Sequence, residues 1–145
     1  MEEEKVLVED NFYLDLNDER EVFVFKSFGN RTRPEEKQMK AYLKPFSGKD
    51  LSLISVKLIK DINDYKKDNP KTDLSFSNLY SYFSQKWEFA YRIEKLENIK
   101  FKVDGKVVEI TDPLELYSYE NTKATMLCSE LQIYFTKVDN LNVKN

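Results

Sequence analysis

Histidine does not occur in this 145-residue sequence, cysteine occurs once and glycine three times. Without histidine the chain lacks the commonest general base and metal-binding side chain, and Ser-His-Asp or Cys-His catalysis within one chain is excluded. A single cysteine allows neither an intrachain disulfide nor a Cys/His zinc site, and it agrees with a cytoplasmic origin. Phosphate-cradling loops need closely spaced glycines, whereas Gly29, Gly48 and Gly105 lie far apart. With only four prolines besides, neither a fibrous repeat nor a disordered chain is expected. Apolar runs are short, as in residues 22–25, so no membrane-spanning segment is expected. The first residues, MEEEKVLVED, are acidic where a secretory signal would be basic and then apolar.

What is present points to one folded domain. A chain with 41% hydrophobic and 14% aromatic residues is long enough to bury roughly two thirds of its unfolded surface. Its charge is unevenly placed. Residues 1–21 hold nine acids against Lys5 and Arg20, a net of −7, and residues 1–10 read as an acidic arm. Residues 26–49 hold seven basic residues against Glu35 and Glu36, a net of +5. Such blocks either neutralise each other within the fold or are presented to partners. The basic block has little periodicity and is interrupted by Pro34, Pro45 and Gly48. It reads as a loop region held out from a rigid body.

Residues 75–97 carry the only Trp with three Tyr and three Phe, and no Gly or Pro. Phe76, Tyr80, Phe83, Trp87 and Tyr91 recur at helical spacing, and Phe89, Ile93 and Leu96 form a second stripe. This predicts a central helix with neighbours on both faces. Its aromatics read as core, with ligand stacking as the sharper alternative. Leu51, Ile54, Leu58, Ile62 and Tyr65 predict a preceding helix, capped by Asp50 or Ser52 and stopped at Asn69-Pro70. Asp112-Pro113 opens a short helix. Asn121 heads a final one along Ala124, Leu127, Cys128, Leu131, Tyr134, Phe135 and Val138, with residues 139–145 expected to fray. Cys128 falls inside that stripe and reads as packing rather than as a nucleophile.

Strand signals frame these helices. Asp104-Gly105 suits a type I′ turn, which pairs Val103 with Lys106, Phe101 with Val108 and Ile99 with Ile110, and sets Lys100 opposite Glu109. Residues 11–16 and 21–28 read as an N-terminal hairpin, its second strand apolar on both sides and so inside a sheet or under a helix. Thr32-Arg33-Pro34-Glu35 resembles a capping box, which predicts a short helix over residues 34–43. The sum is a single α+β domain, with an N-terminal β-hairpin and an Asp-Gly hairpin packed with three main helices.

No catalytic, cofactor-binding or metal-binding residue is assigned, and neither enzyme activity nor a cofactor is expected. Glu9, Asp10, Asp15 and Asp18 gather carboxylates near a turn without the spaced pattern of a calcium loop, so they read as a solvated edge. The candidate contact residues are the cations and aromatics of the basic block: Phe28, Arg31, Arg33, Lys37, Lys40, Tyr42, Lys44 and Phe46. Arg and aromatics together are what protein interfaces favour. The same set also suits phosphates and stacked bases.

A small, His-free, Lys- and aromatic-rich chain with an N-terminal hairpin, central helices, a DPLEL helix start at Asp112 and a C-terminal helix ending in Lys144-Asn145 resembles a known group. These are the small proteins encoded in the structural modules of tailed phages and prophages, among them tail-assembly chaperones, connectors and accessory virion proteins. The resemblance covers the layout and residues of about 76–145, and the basic segment 26–49 departs from it. It implies a non-catalytic protein–protein interaction module acting in virion assembly or as a structural protein, in the host cytoplasm or the virion. Its partners would be other proteins, phage structural proteins among them, with no membrane and with a homo-oligomer left open. The resemblance carries no site residue. Two other readings stand beside it: a nucleic-acid-binding protein, and a small inhibitor of a host enzyme.

Overall fold

The computed structural model describes residues 21–144, with side chains described as far as Asp139. The acidic arm, the expected strand 11–16 and the carboxylates from Glu9 to Asp18 lie outside the described residues. In chain order the elements are β1 (Glu21–Val24), β2 (Lys40–Leu43), α1 (Gly48–Asp68), α2 (Phe76–Arg92), β3 (Ile93–Glu97), β4 (Ile99–Val103), β5 (Lys106–Ile110), α3 (Pro113–Ser118) and α4 (Thr122–Lys144). Together they make an α+β fold. Among the described residues the strands form two antiparallel sheets, β1-β2-β3 and β4-β5.

The hairpin β4-β5 has the register that its turn dictates. Asp104 and Gly105 have φ of 51° and 80°, the left-handed pair a two-residue turn requires. Ile99 lies opposite Ile110, Phe101 opposite Val108 and Lys100 opposite Glu109. Ile99 and Ile110 are fully buried. Lys100 and Glu109 face each other without closing an ion pair.

Residues 34–43 are not a helix. Glu35–Lys37 makes a single 3-10 turn, and the next residues enter the middle strand β2. Thr32 caps nothing there, because its hydroxyl donates to Gly29 O at 2.7 Å. A helix this short has no packing face to offset its nucleation. Pairing on both edges instead buries Ala41 and Leu43. The expected strand 21–28 likewise stops at Val24. Among the described residues it lies at a sheet edge, with Val22 half-exposed. Of the two expected placements it takes the one under a helix, the Phe23 ring lying 5.0 Å from that of Tyr134 on α4.

The aromatic helix ends earlier than its periodicity implies. At Ile93 the backbone turns extended, with φ −112° and ψ 121°, so Ile93 and Leu96 are buried strand residues of β3. The helix α2 serves two neighbours on two faces, with Phe83 and Trp87 turned to α1 and Phe89 to the main core. Phe89 joins the main core with Phe25, Ala41, Ile93, Ile99, Ile110, Leu116, Leu127, Leu131 and Phe135. Leu79, one end earlier, packs with Leu58 and Ile62 in a second, small core shared with α1. Phe76 and Tyr80 are half-exposed, so the first aromatic stripe is core only in part. Trp87 turns to α1, where its indole N–H donates to Asp61 Oδ2 at 2.6 Å.

Caps set the helix starts. Ser47, not Asp50 or Ser52, caps α1: its hydroxyl accepts from Asp50 N–H while the Asp50 carboxylate accepts from Ser47 N–H at 2.8 Å. Asp112 and Asn121 head α3 and α4 by accepting from Leu114 and Lys123 N–H, each at 2.9 Å. α4 then runs as helix to Lys144. No helix among the described residues is long and apolar enough to cross a membrane.

Candidate functional site

Most of the basic block is a closed loop clamped to the domain. Phe25 N–H donates to Met39 O at 3.2 Å and draws the ends of residues 26–38 together. Asn30, the only fully buried polar residue among those described, fills the neck. Its Nδ2 donates to Phe25 O at 2.8 Å and to Met39 O at 3.0 Å, and its Oδ1 accepts from Met39 N–H at 2.6 Å. From α4, Glu130 accepts from the backbone N–H groups of Lys26 at 2.7 Å and Ser27 at 3.1 Å. From the β3–β4 turn, Asn98 Nδ2 donates to Glu36 O at 3.0 Å and Gln38 O at 2.9 Å. Gln38 Nε2 donates to Arg33 O at 3.0 Å. The expectation of a loop held out from the body is therefore corrected: side chain-to-backbone bonds satisfy polar groups that would otherwise keep such a loop in water.

This clamped loop makes one wall of a concavity of about 560 Å³. Phe28, Arg33 and Lys37 come from the loop, Asn98, Lys100 and Phe101 from the β3–β4 turn and β4, and Lys123 and Leu127 from α4. Four of these residues are cationic and none is acidic. Among the described residues, the side chains of Arg33, Lys37, Lys100 and Lys123 form no ion pair and no hydrogen bond. Met39, Phe101 and Leu127 supply an apolar floor. Phe28 is 43% exposed and has φ 61° and ψ 32°. An aromatic residue in the left-handed region costs about 1–2 kcal/mol. Such strain persists only where the surroundings enforce it, and it clusters at functional positions.

The fold divides the eight expected contact residues. Phe28, Arg33 and Lys37 meet at the basin. Arg31 folds back, donating to Val24 O at 3.2 Å. Lys40 and Tyr42 belong to β2, where the Tyr42 hydroxyl donates to Glu97 Oε2 at 2.5 Å beneath Lys95. That bond is the first cause of the raised Tyr42 pKa. Lys44 and Phe46 lie at another corner, with the Phe46 ring 4.3 Å from the Arg92 guanidinium. Reading the chain missed Lys100, Lys123 and Asn98. No local pattern joins them to residues 28–37, and only the strand register and the α4 packing do so.

The remaining chemistry is sparse. Cys128 is half-buried against the main core, and burial pushes its thiol up to about 12. At neutral pH it is a protonated packing group. Among the described residues no three of Asp, Glu, Cys or His group to hold a metal ion. Compared with protein-family models, curated proteins and solved structures, the chain matches none.

Proposed function

We propose that this protein is a non-catalytic interaction module that engages an acidic surface of a protein partner at the basin of Arg33, Lys37, Lys100 and Lys123. One observation carries the reading: four cations share a concavity without a carboxylate among its lining residues, and none is paired within the described residues. Holding unpaired like charges together disfavours the fold unless a partner neutralises them. The clamps at Asn30, Asn98 and Glu130 fix the loop beforehand, so little ordering remains to oppose binding. A role in phage or prophage assembly draws its support from the resemblance in layout. Nucleic acid is the second reading, favoured by the exposed Phe28 ring beside two cations.

The test is capture from the native lysate by the wild-type chain and by an Arg33→Glu/Lys37→Glu variant of unchanged melting temperature. A defined protein retained by the first and lost by the second is the expected result. Loss of nuclease-sensitive material instead would favour the second reading. Equal capture by both chains would overturn the basin as the contact surface.

A further inference from the structure

We propose that the basin is a phosphate-monoester site, in which a phosphoryl group lies among Arg33, Lys37, Lys100 and Lys123 and its organic part rests on Phe28 and Phe101. This deepens the reading of the basin as the contact surface and rests on it. The charge count favours phosphate over carboxylate. Four unpaired cations line one concavity of about 560 Å³, and a carboxylate offers a single negative charge. A phosphoryl group carries about −1.5 to −2 near neutral pH and presents three strong acceptor oxygens. The donor set suits that geometry, because a guanidinium can take two phosphate oxygens in a fork and ammonium groups can gather round the third.

The apolar part of the site adds the second half of the class. Met39, Phe101 and Leu127 floor the concavity, while Phe28 stands half-exposed at its wall. A bare inorganic anion has no use for these rings, whereas the ring or base of a monoester does. The backbone of Phe28 is held left-handed inside a loop fixed at Asn30, Asn98 and Glu130. Its ring is therefore displayed by the loop rather than left where a relaxed backbone would place it. Phosphorylated side chains and nucleotides share this chemistry.

The experiment is a titration of the full-length chain, read by amide chemical shifts. The probes are inorganic phosphate, phenyl phosphate, adenosine monophosphate, a glycine-serine peptide carrying one phosphotyrosine, and benzoate as the carboxylate control. Phenyl phosphate should saturate shifts at Phe28, Arg33, Lys37, Lys100 and Lys123. Lys37→Gln and Lys100→Gln should each weaken it roughly tenfold. Phe28→Ala should weaken phenyl phosphate about fivefold and inorganic phosphate hardly at all. Tighter binding of the peptide than of the mononucleotide assigns the site to a phosphorylated protein, and the reverse assigns it to a free nucleotide. If benzoate binds as well as phenyl phosphate, the phosphate assignment is overturned while an acidic protein partner still stands. Absence of saturable shifts with every phosphate probe also overturns it, whatever the lysate capture shows.

Discussion

Asn30 holds Met39 through both of its backbone polar groups, accepting from its N–H at 2.6 Å and donating to its carbonyl at 3.0 Å. The side-chain amide thereby replaces a strand's backbone at the point where β2 begins, inside a neck that excludes water. Removing it leaves the Met39 N–H without its acceptor, and buried groups without partners cost about 1–3 kcal/mol each. Asn30→Ala should therefore destabilise by about 3 kcal/mol in urea unfolding. Asn30→Asp should be at least as damaging despite its shape, because a carboxylate oxygen would then face the carbonyls of Phe25 and Met39. A loss below about 1 kcal/mol for both variants would mean that the loop closes without this clamp.

Legibility in the sequence followed how local each signal was. The β4-β5 register could be read because two adjacent residues, Asp104 and Gly105, fix it. The stripe from Ala124 to Phe135 could be read because four of its residues enter one core. β2 could not. Its four residues carry no strong pattern of their own, Thr32-Arg33-Pro34-Glu35 imitates a helix start, and the forces that make Lys40–Leu43 a strand come from Asn30, β1 and β3. The boundary at Arg92 was hidden for another reason: Phe89, Ile93 and Leu96 are spaced well enough for a helix, and no breaker intervenes. Of the basin only Phe28, Arg33 and Lys37 were visible. Lys100 and Lys123 reach it from distant parts of the chain, through contacts that no local spacing encodes.

The Asp-Gly hairpin makes an ordering that is simple to check. Ile110 is fully buried, whereas Phe101 is only half-buried with its ring edge-on to Tyr119 at 5.2 Å. Ile110→Ala should cost about 3 kcal/mol and Phe101→Ala about 2 kcal/mol. Gly105 has φ 80° and open space around its Cα, so Gly105→Ala should cost about 1 kcal/mol from backbone strain alone. Denaturant midpoints of the three variants would test this. A larger loss at Phe101 than at Ile110 would place the weight of the hairpin on the wrong residue.

Phe28 offers a separation of strain from side-chain packing. Phe28→Ala removes the ring and keeps a Cβ in the left-handed region, while Phe28→Gly removes both the ring and the strain. The glycine variant should thus be about 1 kcal/mol more stable than the alanine variant, the reverse of the usual order for these two residues. Both should lose binding at the basin to a similar degree. Equal stability of the two would show that the backbone at Phe28 relaxes in solution and that the ring is not held in place.

The last prediction concerns Glu88, one turn before the end of α2. Its carboxylate lies 3.1 Å from Arg92 Nε, while Arg92 reaches on to Asp139 at 2.9 Å and its guanidinium lies between the rings of Phe46 and Phe135. Burial raises the Glu88 pKa above its ordinary 4.5, Arg92 opposes the rise, and Asp139 adds to it. The raised value means that burial outweighs the attraction of Arg92. Protonated Glu88 then contributes stability that is fully present below the unfolded value near 4.5 and is lost as pH rises through the folded value. Glu88→Gln cannot ionise and keeps its stability over that window. Urea midpoints from about pH 4 to about pH 8 should therefore show the variant gaining on the wild type as pH rises, whatever constant offset the lost Arg92 pair introduces. Asp139→Asn should shrink that gain, because it removes the nearby like charge and leaves Arg92 to Glu88. A wild type that instead gains on Glu88→Gln with rising pH would show that the Arg92 pair outweighs burial and holds Glu88 ionised in the folded protein.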